Sequence, residues 1–393
     1  MDSALPRVIR HASIATTNDT PMHLELEDLN PLFTAIRNRG YTLIGPRVRE
    51  GAVVLETLTS AEELPRGWRD HQEPGVYELE QEGGDDLFSY VVGPHSWKRY
   101  LYPPRLRLFR TTRTGKSFAV DSSPEVDPPR YAFFGVRPCE LAAIGIHDRV
   151  FLGSDYRDHY YAEVRKDLCI VVVNCLQPGG TCFCASMNTG PRARDGFDLA
   201  ITEVHHMGRH SLIVEQGSPL GRAIMGDVPH REAEPSAREA AERALALAAD
   251  RMGRSLTTSD LQQVFIERFD HPHWDEIANR CLGCANCTMV CPTCFCSTVE
   301  DVTDLTGTVA ERWRRWDSCF TADFTRVAGG NFRMSTRTRY RQWITHKLAN
   351  WIDQFGTTGC VGCGRCITWC PVGIDITAEA ETFRELSHST TIG

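Results

Sequence analysis

The sequence predicts a two-domain chain, with an α+β or α/β domain over residues 1–268 and an all-α domain over residues 269–393. The first part alternates strand-like and helix-like segments separated by glycine and proline, which is typical of mixed α and β structure. The last part contains eleven of the 16 cysteines, and its apolar periodicity is helical. The boundary is placed where His271-Pro272-His273 follows the last helix-like segment of the first part.

Apolar periodicity and end signals define the elements of the first domain. A continuous apolar run rich in β-branched residues, residues 168–173, predicts a strand that is buried on both faces. Further strands are predicted over residues 41–54, interrupted at Gly45-Pro46 and Gly51, and over residues 130–136. Helices are predicted over residues 29–37, 140–147, 231–251 and 258–269.

Two cysteine runs with the same spacing dominate the last part of the sequence. Each has the form C-x2-C-x2-C-x3-C followed by proline, and the runs start at Cys281 and Cys360. In proteins with two 4Fe–4S clusters, three cysteines of such a run bind one cluster and the fourth binds the other. A zinc site with four thiolates needs only two C-x2-C pairs. A disulfide framework is typical of secreted chains, and no export signal is present. The runs therefore predict a dicluster ferredoxin domain that transfers electrons.

This crossover assigns four cysteines to each cluster. The first cluster is predicted to be bound by Cys281, Cys284, Cys287 and Cys370, and the second by Cys360, Cys363, Cys366 and Cys291. Pro292 and Pro371 end the helical turn that follows each run, because proline cannot continue a helix. Glycines in and beside the runs are expected to let the backbone approach the inorganic sulfides: Gly283, Gly359, Gly362 and Gly364.

The connection between the two runs is 68 residues long, far more than in a small bacterial ferredoxin. Residues 312–316 and 336–355 within it read as helices, and the second helix has an apolar and aromatic stripe that we expect to lie in the core. The C-terminal domain is therefore predicted to be a helical ferredoxin, in which helices carry the binding loops.

Four cysteines of the first domain lie where predicted strands end: Cys139, Cys175, Cys182 and Cys184. Ligands of open α/β sheets bind at that edge, and a Cys-x-Cys pair in a glycine-rich loop is unusual for core thiols. The pattern favours a third 4Fe–4S cluster, with zinc or buried thiols as the alternatives. Cys169 is expected in the core. Cys294 and Cys296 are expected to pack near the first cluster, with an alternate ligand or a path between clusters as the other interpretations, and Cys319 is expected to pack in the same region.

Composition disfavours other classes of function. The net charge of −8 argues against nucleic-acid binding, and no apolar run reaches the ~20 residues that a membrane-spanning helix needs. Residues 1–20 lack the basic and apolar regions of an export signal, so a cytoplasmic location is expected. No phosphate-binding or dinucleotide fingerprint is present, so neither flavin nor nucleotide is expected on this chain. The histidines at 205, 206 and 210 are expected to be surface or turn residues.

On these residues, the chain resembles the iron–sulfur β subunit of cytoplasmic NAD(P)-linked nickel–iron hydrogenases of the sulfhydrogenase type. It is also similar to the related A subunit of anaerobic sulfite reductase. The resemblance covers most of the chain and rests on residues 93–98, 134–139, 174–184, 281–296, 315–320 and the second cysteine run. Glu140 is a minor departure, since the acidic residue at this position is more commonly Asp.

The resemblance implies an electron-relay subunit without catalytic residues of its own. Its partners would be hydrogenase large and small subunits and a FAD-containing NAD(P)-reductase subunit. It also supports a cluster bound by the four cysteines of the first domain. The alternatives are the corresponding subunit of a sulfite or polysulfide reductase and a free-standing flavin oxidoreductase, which the missing nucleotide fingerprint disfavours.

Overall fold

The computed structural model describes residues 20–122, 129–153 and 155–388, so residues 1–19, on which most of the export prediction rests, lie outside the described residues. The strands are β1 (Met22–Glu25), β2 (Thr42–Arg49), β3 (Ala52–Thr57), β4 (Trp68–Glu73), β5 (Val76–Gln81), β6 (Arg105–Thr114), β7 (Ser117–Asp121), β8 (Tyr131–Val136), β9 (Cys169–Val173), β10 (Leu199–His206), β11 (Arg209–Gln216), β12 (Arg231–Glu232), β13 (Ser297–Thr303), β14 (Val309–Trp316), β15 (Arg326–Val327) and β16 (Gly330–Asn331). The helices are α1 (Leu29–Arg37), α2 (Lys98–Leu101), α3 (Pro138–Phe151), α4 (His159–Lys166), α5 (Pro219–Met225), α6 (Pro235–Asp250), α7 (Leu261–Glu267), α8 (His273–Arg280), α9 (Asn286–Met289), α10 (Thr336–Thr345), α11 (Trp351–Phe355), α12 (Arg365–Thr368) and α13 (Ile376–His388). Short 3-10 turns lie at Leu26–Asp28 and Ala61–Glu63, and a π-helical turn lies at His346–Asn350.

A mixed eight-stranded sheet in the order β12-β1-β11-β10-β9-β8-β2-β3 organises the N-terminal part. Its central strands β2, β8, β9 and β10 are parallel to one another, and the other pairings are antiparallel. Every residue of β9 is buried, with Val171 facing a core that includes α1 and α5, and Ile170 facing a core that includes α3 and α4. The prediction of a strand buried on both faces is therefore confirmed, since helices cover both sides of a parallel sheet.

Strands β8 and β9 are parallel neighbours, so their carboxyl ends meet at one edge of the sheet. Cys139 lies in the first turn of α3, directly after β8, and Cys175 follows β9. Pro138 at the start of α3 has a backbone angle suited to a helix, and Glu140 accepts a hydrogen bond from the backbone N–H of Arg137 at 3.1 Å. The local sequence thus places two of the four N-terminal cysteines side by side.

The prediction of an all-α C-terminal domain is wrong. Residues 312–316 belong to strand β14, which pairs with β13 on one side and with β6 on the other in a four-stranded sheet of order β13-β14-β6-β7. Trp313 and Trp316 are three residues apart and so imitate a helical face, but Trp313 stacks on Arg105 of β6, with the guanidinium 4.1 Å from the ring centre. The sheet joins residues on both sides of the predicted boundary at residue 268.

One further prediction about continuity is wrong. Strand β2 runs through Gly45-Pro46 without a break, and the turn occurs at Glu50-Gly51. The helix predicted over residues 336–355 is confirmed with these bounds, and it contains the π-helical turn His346–Asn350 between α10 and α11. Such turns insert one residue into a helix and are frequent at functional sites.

Aromatic side chains fill the C-terminal core. Trp274 of α8 packs on Phe383 of α13 with ring centres 4.1 Å apart, and Tyr340 and Trp343 of α10 pack in the same cluster. The apolar stripe predicted for the helix over residues 336–355 therefore lies in the core. Ile352, which belongs to this stripe, is the exception and is half-buried. Five of the run cysteines pack at the edge of this core: Cys281, Cys287, Cys360, Cys366 and Cys370.

Buried polar contacts join the two parts of the chain. Arg365 of α12 donates to the carboxylate of Glu140 at 2.5 Å, and Trp97 donates to the other carboxylate oxygen at 3.0 Å. Glu140 is 1% exposed and Arg365 is 5% exposed. Nearby, Gln72 accepts from Thr368 at 2.7 Å. The C-terminal cysteine run therefore docks on the strand-end edge of the large sheet.

We expect Glu140→Gln to lower the free energy of unfolding by about 3 to 5 kcal/mol, because it keeps the shape but leaves the buried Arg365 without a counter-charge. Chemical denaturation followed by circular dichroism measures this loss. Glu239→Gln on the exposed face of α6 is the control, since Glu239 pairs only with Arg243 at 3.6 Å on the surface, and it should change stability by less than about 0.5 kcal/mol. Equal effects of the two substitutions would show that the buried pair of Glu140 and Arg365 contributes no more to stability than an exposed pair.

Candidate metal centres

The structure brings the first predicted cysteine set together. The first site comprises Cys281, Cys284, Cys287 and Cys370, which line one cavity. The rest of this lining is uncharged: Leu282, Ala285, Asn286, Phe320, Tyr340, Trp343, Cys366, Pro371, Val372 and Ile374. Backbone N–H groups already point at two of the sulfurs, from Gly283 to Cys281 at 3.4 Å and from Ile374 to Cys370 at 3.3 Å. Four sulfurs in one uncharged cavity, with N–H donors, fit an iron–sulfur cluster.

The second predicted set also lines a single cavity. The second site comprises Cys291, Cys360, Cys363 and Cys366, together with Phe183, Thr293 and Lys347. Gly362 donates its N–H to Cys360 at 3.4 Å, the same contact that Gly283 makes in the first run. Cys366 also lines the cavity of the first site. The two cavities are therefore adjacent, and each takes its fourth cysteine from the other run, as the spacing predicts.

The third site comprises the N-terminal cysteines Cys139, Cys175, Cys182 and Cys184. Cys139 and Cys184 are hydrogen-bonded to each other, and Cys182 and Cys175 lie close enough to perturb them electrostatically. Three of the four are buried, and the fourth, Cys139, is half-buried. The Cys182 sulfur lies 3.8 Å from the backbone carbonyl of Cys363. The structure thus gathers four thiols from three segments next to the second site.

The spacing of these thiols bears on the zinc alternative. A tetrahedral zinc ion with Zn–S bonds of about 2.3 Å would hold its sulfurs about 3.8 Å apart. Within residues 20–122, 129–153 and 155–388, the one group of three or more His, Cys, Asp or Glu ligand atoms that all lie within 4.8 Å of one another is Asp86, His205 and His210. None of the three cysteine sets is that compact. No set therefore holds three sulfurs at the spacing of a tetrahedral zinc site.

Two glycines of the second run explain how the second and third sites come so close. A Cβ atom at Gly362 would lie 2.7 Å from the Cα of Cys184, and one at Gly364 would lie 2.5 Å from the carbonyl oxygen of Thr181. Both have positive φ angles. At the position of the first run that corresponds to Gly364, Ala285 adopts φ 68°. The backbone shape alone therefore does not demand glycine at 364; the neighbouring loop does.

Burial raises the pKa of most of the site thiols. The pKa rises to about 11 for Cys360, to about 12 for Cys363 and to about 11 for Cys175, in each case chiefly because the thiolate would lose its hydration. The thiolate, not the thiol, binds iron, so metal binding here is coupled to loss of protons. Bound iron would supply the positive charge that stabilises these buried sulfurs as thiolates.

Cys291 differs from the other run cysteines in that a lysine ammonium donates to its sulfur. A hydrogen bond with Cys294 and the nearby Lys347 ammonium lower its pKa well below the usual range. Lys347 lies 3.2 Å from the Cys291 sulfur and 2.9 Å from the Thr293 hydroxyl, and Lys98 donates to the carbonyls of Cys291 and Cys294 at 3.2 and 3.0 Å.

Sequence reasoning missed both lysines. Lys347 is four residues after Trp343 and four before Trp351, so it falls on the apolar stripe. A charged residue on that stripe was the available signal. Lys98 gave no comparable signal, because it meets Cys291 and Cys294 only through the fold, 193 and 196 residues away in the chain.

The four cysteines outside the three sites pack against other side chains. Cys169 is buried inside β9, as expected. Cys296 hydrogen-bonds with Cys319, and Cys319 packs at the edge of the C-terminal aromatic core. Cys294 contacts Cys291, which lines the second site. Cys294 and Cys296, expected beside the first cluster, thus extend the thiol-rich region towards the second site.

Two histidines of the β10–β11 hairpin pair with carboxylates. His205 bonds to Asp86 at 2.6 Å and His210 to Glu203 at 2.7 Å, and the two rings stack with centres 4.1 Å apart. His205 is exposed, as the surface prediction has it, but both residues lie in strands rather than in the turn.

Comparison with known proteins gives two matches. Residues 280–374 match the family described as a 4Fe-4S dicluster domain. Sulfhydrogenase 2 subunit beta of Pyrococcus furiosus is 32% identical over 339 residues, which cover 84% of this chain and 96% of that protein. The chain belongs to the sulfhydrogenase beta-subunit family. No solved structure matches it.

Family membership confirms the resemblance and the electron-transfer role. The chain is an iron–sulfur electron-transfer subunit akin to sulfhydrogenase beta, and its dicluster domain implies two 4Fe–4S clusters. The cysteines that line the two cavities all fall within the matched range. Within the part of the chain that the structure describes, no helix is long and apolar enough to cross a membrane.

We expect Gly364→Ala to lower the free energy of unfolding by about 1 to 3 kcal/mol more than Gly356→Ala does, because it forces the Thr181 backbone to move. The two positions share positive φ angles of 72° and 70°, but a Cβ atom at Gly356 meets nothing within 4 Å. Parallel denaturation curves of the two variants measure the difference. If both variants lose the same stability, the close packing of the two loops is not a constraint.

Proposed function

We propose that this chain relays electrons through three 4Fe–4S clusters, between a nickel–iron hydrogenase module and a FAD-containing NAD(P)-reductase subunit. The observation that supports it most is the contact between the second and third sites, where the Cys182 sulfur meets the carbonyl of Cys363 at 3.8 Å. When bound, each cluster takes up and releases single electrons. The cysteines hold the clusters, and the surrounding apolar side chains exclude water from them.

The ligand sets of this proposal are the three sites. Cys281, Cys284, Cys287 and Cys370 bind the first cluster, Cys360, Cys363, Cys366 and Cys291 the second, and Cys139, Cys175, Cys182 and Cys184 the third. The shared cavities support the first two sets. The third is supported by four converging thiols on the strand-end edge of the sheet, where α/β proteins bind ligands.

The arrangement supports a linear order of first, second and third site. Cys366 lines the cavities of the first and second sites. Phe183, which separates Cys182 from Cys184 in the chain, lines the second cavity and is itself fully buried. The second site therefore has a neighbour on each side. Electrons that enter at either end of the row pass through it.

The first site is the end of the row that reaches the surface. Cys284 is an exposed cysteine, and the neighbouring Leu282 is 65% exposed. Val372, on the other side of the same cavity, is 40% exposed. Exposed apolar side chains beside a redox site suit docking of a partner subunit. We assign this face to one of the two partner modules.

The relative named sulfhydrogenase supports hydrogenase partners for this chain. Purification from the native host should therefore recover nickel–iron large and small subunits and a flavin subunit with it, and the separated chain should contain iron and acid-labile sulfide but no flavin. Mass spectrometry of the complex and a flavin assay of the chain measure this. A sirohaem subunit in place of the hydrogenase would instead assign the chain to a sulfite reductase, and stoichiometric flavin on the chain would contradict the relay.

Single cysteine substitutions test the three ligand sets. We expect Cys284→Ser, Cys363→Ser and Cys182→Ser each to lose the iron of one cluster and to block electron flow, because each removes one ligand. Iron and sulfide analysis, with electron paramagnetic resonance of the reduced chain, measures the losses. Cys169→Ala is the control, since this thiol is buried inside β9 away from the three sites, and its iron content should stay at the wild-type value. A full iron count in Cys182→Ser would remove the third cluster.

A further inference from the structure

Two buried ammonium groups converge on one cysteine of the second site. Lys347, in the π-helical turn, donates to the Cys291 sulfur at 3.2 Å. Lys98, in α2, donates to the Cys291 carbonyl at 3.2 Å and lies 4.0 Å from the centre of the Trp316 ring. Each lysine is 5% exposed. They arrive from opposite parts of the chain, so the fold gathers them at this cysteine.

In the described part of the chain, neither ammonium group has a carboxylate partner. Within residues 20–122, 129–153 and 155–388, the described hydrogen bonds of Lys98 and Lys347 go to two carbonyls, one sulfur and one hydroxyl. A buried ammonium without an anion is strongly unfavourable. His147 lies close to both lysines but cannot balance their charge, because an imidazole is either neutral or cationic. The anionic group that this arrangement suits is therefore a thiolate-bound cluster in the second site.

The other two sites are charged differently. The lining of the first site contains no charged side chain besides its cysteines. Arg365, which is paired with Glu140, lies near both Cys363 of the second site and Cys139 of the third, and Arg137 beside the third site donates to the carbonyls of Phe88 and Tyr90. Among the described hydrogen bonds to sulfur, the one from a charged side chain to a site cysteine is that of Lys347.

We infer that Lys347 is a positioning residue that sets the reduction potential of the second cluster above that of the first, with Lys98 as a second source of positive charge. This inference rests on the proposed relay. A cluster gains negative charge on reduction, so a cation that donates to its ligand sulfur stabilises the reduced state more than the oxidised state. Transfer of an electron from the first cluster to the second is therefore favourable. The electron then stays on the second cluster until it passes to the next carrier.

The test is a redox titration of the full chain, followed by electron paramagnetic resonance. Lys347→Met keeps an unbranched side chain of similar length but removes the charge. It should retain the wild-type iron content and lower the reduction equilibrium constant of one cluster at least tenfold, which is about 59 mV for a one-electron couple. The other clusters should keep their potentials. Lys116→Met, in the exposed turn between β6 and β7, is the control and should shift none.

The outcomes separate this inference from the relay itself. Absence of clusters in the wild-type chain overturns the proposed function. Full iron with unchanged potentials in Lys347→Met overturns the role of Lys347, and so does an equal shift of every cluster. If Lys347→Met loses the iron of the second cluster, Lys98→Met decides, because Lys98 contacts carbonyls and not the sulfur. A lower potential of the same cluster in Lys98→Met supports the inference, and unchanged potentials overturn it.

Discussion

The arrangement of the three sites depends on the packing of the Thr181–Cys184 loop against the Gly362–Gly364 turn. The backbone N–H of Phe183 donates to the carbonyl of Gly362 at 2.8 Å, and no side chain fits between the two segments at either glycine. Because both segments carry site cysteines, this one contact places the third site beside the second. The buried pair of Arg365 and Glu140 holds the same interface from its other side. The two parts of the chain therefore act as one scaffold for the sites.

Charge balance is the second constraint on this interior. Twelve site thiols lie in or at the edge of low-dielectric surroundings, where burial raises the pKa of most of them. Metal binding relieves this cost, and folding of the C-terminal part is thereby coupled to cluster assembly. Lys347 lines the second site, and uncharged side chains line the first. Three sites with similar ligands can in this way differ in potential.

Sequence reasoning was strongest where the chemistry is local. The run spacing identified the two cysteine sets that line the two cavities, because C-x2-C-x2-C-x3-C spans one loop and a helical turn. It was weakest where a partner strand is remote: residues 312–316 look helical by their tryptophan spacing, yet they pair with β6, about 200 positions earlier in the chain. The helix over residues 336–355 was predicted, but not its π-helical turn at His346–Asn350, because such a turn has no composition of its own.

Local sequence patterns were enough to predict the iron–sulfur character of the chain, the presence of both cysteine runs in each cavity and the buried strand β9. Each of these depends on residues a few positions apart, or on two copies of the same pattern. Long-range packing alone brings Cys182 to Cys363, 181 positions away, directs Lys98 and Lys347 to Cys291, and joins both parts of the chain in one sheet. Such contacts are set by how helices and strands pack, and their free energy is shared among many residues that no short motif contains.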